Sequence, residues 1–234
     1  MSPADIEQLG IGCLFHDIGK TEIPDRVLRV ENPTRAETNL LQQHAGYGAK
    51  IGVKMGLSTQ AMDIILQHHE RVDGTGYPNA LIGTEISPLA KVAAIVNAYD
   101  NHCNRINPAQ SLTPYEALSH MYANERRWFD AGYLSLFVRC MGVYPPGTLV
   151  RLSDETLGLV IASNFGMPLR PKVLIFDPAV PKDEATILDL QQLPDLSVRD
   201  SLRPTEIGLE VYEYLSPRTR MTYFFDAPQR DSSR

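Results

Sequence analysis

Through roughly the first 140 residues, apolar side chains recur at intervals of three and four, the spacing that gathers one face of an α-helix. Ile6, Leu9, Cys13 and His16 form a first stripe, opening after Ser2-Pro3-Ala4-Asp5, a cap with proline in its first turn. Gly19 is expected to end that helix, with Ile23-Pro24-Asp25 running on as a loop. Leu41, His44, Gly48 and Ile51 predict a second helix. Ala61, Ile64, Ile65 and His68 predict a third, after the cap-like Ser58-Thr59. Leu89, Val92, Ala93, Val96 and Asp100 predict a fourth, with Pro88 near its start. Two more are expected, one after Thr113-Pro114 and one from about Asp130 to Met141.

From Tyr144-Pro145-Pro146-Gly147 onward the pattern shortens to strand-like runs: Thr148–Leu152, Leu157–Ala162, Lys172–Phe176 and Thr186–Leu190. Seven of the seventeen prolines fall between Pro145 and Pro194, which favours a small twisted sheet over helices. The fold class is therefore mainly α, a helical bundle followed by a small β-rich C-terminal module. The expected divisions are 1–142 for the bundle, 143–203 for the β-module and 204–234 for a C-terminal segment whose last residues, Ala227–Arg234, fray.

At 234 residues, 43% hydrophobic and 21% charged, the chain has the composition of a soluble globular protein. A formal charge of −6 argues against a nucleic acid polymer as partner. Three scattered cysteines fit a reducing cytoplasm, and no apolar run approaches the roughly 18 residues of a membrane span. Membrane insertion by this chain is not expected.

Each of four stripes ends in, or passes through, a metal-ligand type: His16, His44, His68 or Asp100. Residues three and four apart share a helix face, so all four should point inward. Burying imidazoles and a carboxylate separately incurs a penalty at each site, which a shared divalent cation removes. Nitrogen and oxygen donors without cysteine suit a metal that also holds water and phosphate. In His16-Asp17 and His68-His69, neighbours diverge by about 100° on a helix, so both can ligate only at a helix end or around more than one metal. Asp17 is the natural shared ligand. Two metals roughly 3.5–4 Å apart suit in-line phosphodiester cleavage. Lys20 reads equally as a helix-end cation or as an ammonium reaching phosphate. Asp73-Gly74-Thr75-Gly76-Tyr77-Pro78 is a loop by composition, with glycines that admit a ligand and a tyrosine able to stack on a base.

The blocks HDIGK (His16–Lys20), HHERVDGTGYP (His68–Pro78) and the downstream Asp100 resemble, in order and separation, the HD-GYP family of metal-dependent phosphohydrolases. The resemblance covers roughly Ile6 to Met141. It implies an HD-type helical bundle and a phosphodiesterase that hydrolyses the bacterial messenger cyclic di-GMP to linear pGpG and onward to GMP. It implies metal ligation by His16, Asp17, His44, His68, His69 and Asp100. Two or three divalent ions are expected, Fe(II) or Mn(II) suiting the donor set. Asp17 and Lys20 would serve catalysis, with Lys20 on phosphate. Substrate contact would fall to Gly74, Gly76, Tyr77, Pro78 and Arg105. The same loop is implied as a surface for diguanylate cyclase domains or other signalling proteins.

Two departures from the family pattern follow. The family begins one helix earlier, with a histidine and, in trinuclear members, a glutamate, so the bundle is expected to lack its first helix. After Asp100, an arginine-containing phosphate clamp is replaced by Asn101-His102-Cys103-Asn104-Arg105-Ile106-Asn107-Pro108. This motivates an alternative, a catalytically silent module that binds cyclic di-GMP or a partner through the loop. An HD phosphohydrolase acting on another nucleotide is a third reading. His102, two residues after Asp100, reads as an extra ligand or acid or, the favoured reading, as a histidine that faces solvent or stands behind a ligand, and His120 is expected to be structural. Trp128 and Arg126-Arg127 are expected to serve packing and solvation.

Overall fold

The computed structural model describes residues 1–107 and 110–215. It comprises two compact units, one of Met1–Gln110 with His120–Leu134, the other of Ser111–Ser119 with Ser135 onward. The architecture is mainly helical, with a small antiparallel sheet in the C-terminal part.

In the first unit, α1 (Pro3–Phe15) starts from a reciprocal capping box between Ser2 and Asp5 with proline in the first turn. It ends sooner than expected: His16 caps it, and a 3₁₀ turn, Ile18–Glu22, carries Gly19 and Lys20. A short α2 (Asp25–Leu28) follows, starting at the last residue of the Ile23-Pro24-Asp25 stretch expected to be loop. The second predicted stripe is broken at Gln43. α3 (Arg35–Gln42) opens on a Thr34–Glu37 capping box, and α4 (His44–Met55) stops at Gly56, whose φ of 72° is the left-handed conformation of a helix end. α5 (Thr59–Gln67) is capped by the Ser58 hydroxyl, as the sequence suggests. α6 (Pro88–Cys103) has proline in its first turn.

Ile64 of α5 with Leu89 and Ala93 of α6 forms a buried cluster, against which Leu9 and Cys13 of α1 pack. Two predicted faces are rotated. Ile6 is exposed on α1, and on α6 the buried residues include Ala90, Ala94, Ile95 and Tyr99, leaving Val96 and Asp100 exposed. The α6 pattern is nearly apolar all round from Leu89 to Val96, so its spacing alone cannot fix the face.

α7 (Pro114–His120) runs into a π-helical turn, Met121–Glu125, and a 3₁₀ turn, Arg126–Trp128, before α8 (Ala131–Met141). In the second unit, β1 (Leu149–Leu152), β2 (Leu157–Ala162), β3 (Lys172–Ile175), β4 (Ile187–Asp189) and β5 (Val198–Leu202) form one antiparallel sheet in the order β4-β3-β2-β1-β5. Val150, Leu152, Val160, Val173 and Leu190 make its buried core. The strand that the pattern missed is β5, whose Arg199 and Asp200 are exposed and interrupt the apolar alternation. A further helix, α9 (Leu209–Leu215), lies in the C-terminal segment 204–234, for which the pattern predicts no element. The expected frayed tail lies outside the described residues.

Candidate metal centre

Three of the predicted histidines sit where a helix has just ended. His16 caps α1, His68 caps α5, and His44 follows the break after α3. The carbonyls of a helix's last turn lack intrahelical partners, and here the rings take them up. Nδ1–H of His16 donates to the Cys13 carbonyl at 2.7 Å, His44 to Leu41 at 2.6 Å, and His68 to Ile65 at 2.9 Å. A carbonyl can only accept, so the proton on each Nδ1 is dictated by its partner. Every Nε2 is thereby turned toward one point.

That point is Asp17. Its Oδ1 lies 3.3 Å from His44 Nε2 and 3.8 Å from His68 Nε2, while its Oδ2 lies 3.3 Å from His16 Nε2 and 2.5 Å from Lys20 Nζ. His44 Nε2 and His68 Nε2 face each other at 3.3 Å, two lone pairs with no proton to share when both rings are neutral. Oδ1 is buried and receives no hydrogen bond among the described residues, because the near nitrogen of His44 carries no proton. A carboxylate oxygen so placed incurs the desolvation penalty uncompensated. A cation between Oδ1 and the imidazoles removes both conflicts, so the residues fit a divalent metal. Asp17, His44, His68 and His69 each offer one ligand atom within 4.8 Å of the others.

The electrostatics agree. Burial pushes His68 down to about 4 and, with the neighbouring imidazoles, pushes His69 lower still. Burial also lowers His44. These three rings are neutral near pH 7, the state that ligates metal. Burial opposes the charge on Asp17, but His16 and Lys20 outweigh it and hold the carboxyl well below the usual range. His16 moves the other way: burial would lower it, yet hydrogen bonding to Asp17 and its charge raise it.

Gly19 makes the arrangement possible. A Cβ there would lie 1.9 Å from the His44 carbonyl oxygen and 2.4 Å from the Gly48 amide nitrogen, so the 3₁₀ turn meets α4 backbone to backbone. Gly76 does the same for the loop, where a Cβ would fall 2.4 Å from the Arg71 amide nitrogen and 2.6 Å from the His69 carbonyl. With that approach, the Tyr77 ring stacks on His69 at 4.5 Å and 21°, and the Tyr77 amide donates to the His69 carbonyl. One face of Tyr77 is thus taken by a candidate ligand instead of standing free for a base. Gly74, at φ 77°, lies in the turn before it, and Pro78 is exposed.

Glu70, which the pattern did not single out, is 3% exposed and anchors this loop by accepting from the Asn79 amide at 2.7 Å and the Leu81 amide at 3.0 Å. Its signal was position: an acid directly after paired histidines and before a glycine loop. Arg71 lies over the Trp128 ring at 3.5 Å, so Trp128 packs as expected, although against Arg71. Arg127 is an exposed partner of Asp73.

Asp100 corrects the expectation of four inward-facing ligands. It is exposed, its Oδ1 accepts from Asn104 Nδ2 at 2.8 Å, and it stands outside the group of four. The α6 residues lining the histidine cavity are Ala94, Asn97, Ala98, Asn101 and His102. That cavity, about 760 Å³, also takes in Lys20, Tyr77 and Arg105, and its size is that of a small-molecule site. His102 does not face solvent; its Nε2 lies 3.0 Å from Glu125 Oε2.

The chain matches the HD domain family over residues 1–132, and a KOW domain associated with HD domain over residues 149–210. It is 35% identical over 173 residues to the cyclic di-GMP phosphodiesterase PA4108 of Pseudomonas aeruginosa, covering 73% of this chain and 42% of that protein. It is 30% identical over 142 residues to the cyclic di-GMP phosphodiesterase response regulator RpfG of Xanthomonas campestris, covering 59% and 38%. With the 3'3'-cGAMP-specific phosphodiesterase 2 of Vibrio cholerae, identity is 31% over 127 residues, 53% and 24% of the two chains. The chain spans less than half the length of these curated relatives. Since the HD match takes in more than half of the chain, and the whole histidine–aspartate centre with it, this protein belongs to the HD domain family.

Proposed function

We propose that the chain is a metal-dependent phosphodiesterase that hydrolyses cyclic di-GMP to linear pGpG and onward to GMP. The observation that carries this reading is the convergence of proton-free Nε2 atoms on a buried carboxylate oxygen with no donor. Two of the relatives above are named for the same substrate.

His44, His68 and His69 with Asp17 Oδ1 would hold one divalent cation, and Asp17 Oδ2 with His16 a second. The mixed imidazole and carboxylate set suits Fe(II) or Mn(II). Bound there, such ions supply Lewis acidity toward phosphoryl oxygen and water. The chain supplies position. The carbonyl of Ile65 holds His68 in one tautomer, that of Leu41 holds His44, and Tyr77 braces His69 from the side. Lys20, now paired with Asp17 Oδ2, would turn its ammonium from Asp17 to phosphate along the cavity wall when Asp17 serves as a ligand. Arg105, on the same wall, adds a second positive contact. Asp100 stands away from the centre, so its proposed part is structural, through Asn104.

The exposed loop residues Asp73, Thr75 and Pro78 offer a surface to a signalling partner such as a diguanylate cyclase domain. A cytoplasmic location follows from the substrate. The test is product analysis after incubation of anaerobically prepared protein with Mn(II) or Fe(II) and cyclic di-GMP. Linear pGpG is expected, and none from Asp17→Ala. Nucleotide binding without product by folded, metal-loaded protein would overturn the proposal in favour of a silent binding module. Parallel incubation with 3'3'-cGAMP ranks the substrates.

A further inference from the structure

A second group of ligand-type side chains lies on the wall of the same cavity. His102 comes from α6, His120 closes α7, and Glu125 ends the π-helical turn. His102 Nε2 lies 3.0 Å from Glu125 Oε2, and His120 Nε2 lies 3.4 Å from Glu125 Oε1. The three ligand atoms fall within 4.8 Å of one another, and the imidazoles meet edge to face at 5.0 Å. Glu125 is 6% exposed, and His102 and Glu125 both line the cavity that contains His44, His68 and His69.

The backbone makes this meeting possible by an uncommon route. In a regular α-helix, residues five apart diverge by about 140°, so His120 and Glu125 would face different ways. The π turn Met121–Glu125 winds more slowly and returns the fifth residue toward the face of the first. Such turns are rare, and here one delivers a buried carboxylate to two imidazoles.

We propose that His102, His120 and Glu125 form a second divalent-cation site, of the two-histidine, one-carboxylate type, with its remaining position open to the cavity. That donor set leaves room for water or an anionic oxygen and suits zinc, manganese or iron(II). Burial opposes the charge on Glu125, but the hydrogen bond to His102 together with the charges of His102, His120 and Arg71 outweighs it and lowers the carboxyl below its ordinary value. A cation on His102 Nε2 moves that ring's proton to Nδ1, which now lies 3.4 Å from Arg105 Nη2, so loading turns the guanidinium off the ring. If the cavity takes a phosphodiester, as the preceding section proposes, the cation adds positive charge where Arg105 stands. The existence of the site does not depend on that reading.

The experiment counts ions. Metal-free protein, dialysed to equilibrium against Zn(II) or Mn(II), should retain one more ion per chain than His120→Ala. That substitution is well tolerated, because the His120 side chain is 41% exposed. In the Asp17→Ala background, which removes the ligand shared by both proposed cations of the first centre, one ion should remain. Co(II) should then quench Trp128, the single tryptophan, with an apparent Kd at least tenfold weaker once His120→Ala or His102→Ala is added. Equal ion counts for wild type and His120→Ala would overturn the site, as would absence of any ion from folded Asp17→Ala protein. Absence of cyclic di-GMP hydrolysis by wild type with its full ion count would instead refute the phosphodiesterase reading.

Discussion

Gly19→Ala isolates the point where backbone geometry creates the metal centre. The added methyl carbon would sit 1.9 Å from the His44 carbonyl oxygen and 2.4 Å from the Gly48 nitrogen, where ordinary contact begins at 3.4 Å. Both obstacles are backbone, so no side chain can rotate away, and the 3₁₀ turn must separate from α4 by more than an ångström. Forced repacking of this kind costs about 3 kcal/mol, the upper end of the overpacking range. For a chain of this size that lowers Tm by about 6–12 °C. The same displacement parts Asp17 from His44, now 3.3 Å apart, so metal affinity should fall about 10–100-fold, as it does when the groups that orient ligands are disturbed. Thermal melts with and without Mn(II), together with calorimetric titration of the metal, read both effects. Gly10→Ala is the control: its Cβ meets nothing within 4 Å inside α1, and the exchange should stabilise by about 0.5–1 kcal/mol. A Gly19→Ala protein that melts and binds metal like wild type would refute the reasoning.

Other outcomes follow from the same geometry. Asn97→Asp puts a carboxylate on the α6 wall of the cavity and should tighten Mn(II) binding at least tenfold (about 1.4 kcal/mol), whereas Asp100→Asn should leave the ion count unchanged; calorimetry reads both. Glu70→Ala strands the Asn79 and Leu81 amides, so the variant should lose about 2–4 kcal/mol in denaturant melts and raise KM for the dinucleotide through loosening of the loop. In metal-free protein, His68 stays neutral down to about pH 4, so the unfolded chain takes up its proton first, near 6.5. Its contribution is therefore complete above pH 6.5 and lost as pH falls toward 4, about 3 kcal/mol in all, and a flat stability profile in chelator across that window would contradict the assignment.

The donors were legible where chemistry and spacing coincide: Asp17 with His44, His68 and His69 converge, with His16 alongside. Their mode of presentation was not. Periodicity treats a helix as continuous, so Leu41 and His44 read as one stripe, whereas the chain breaks between them and His44 donates to the Leu41 carbonyl across the break. Asp100 failed for a related reason. With Leu89 to Val96 almost wholly apolar, a small rotation of α6 exchanges Asp100 for Asn97 at the cavity without violating the pattern. The Glu125 cluster was illegible because a π turn has no distinct periodicity and His120 neighbours no ligand block, although His102 follows Asp100 by two residues. In the sheet, the apolar alternation of β2 was readable, while β5 hid behind Arg199 and Asp200.

The breaks that defeat periodicity are also what make the centre precise. An imidazole in mid-helix would find its i−4 carbonyl already bonded and its tautomer undetermined. Placed one or two residues beyond a helix end, it meets a carbonyl of the last turn, and a single hydrogen bond both serves the helix terminus and fixes the ring. Because this happens at His16, His44 and His68, three helix ends point three Nε2 atoms at one aspartate. Cation binding then stabilises those ends together, and loss of any one carbonyl contact should be felt at the metal before it is felt in the fold.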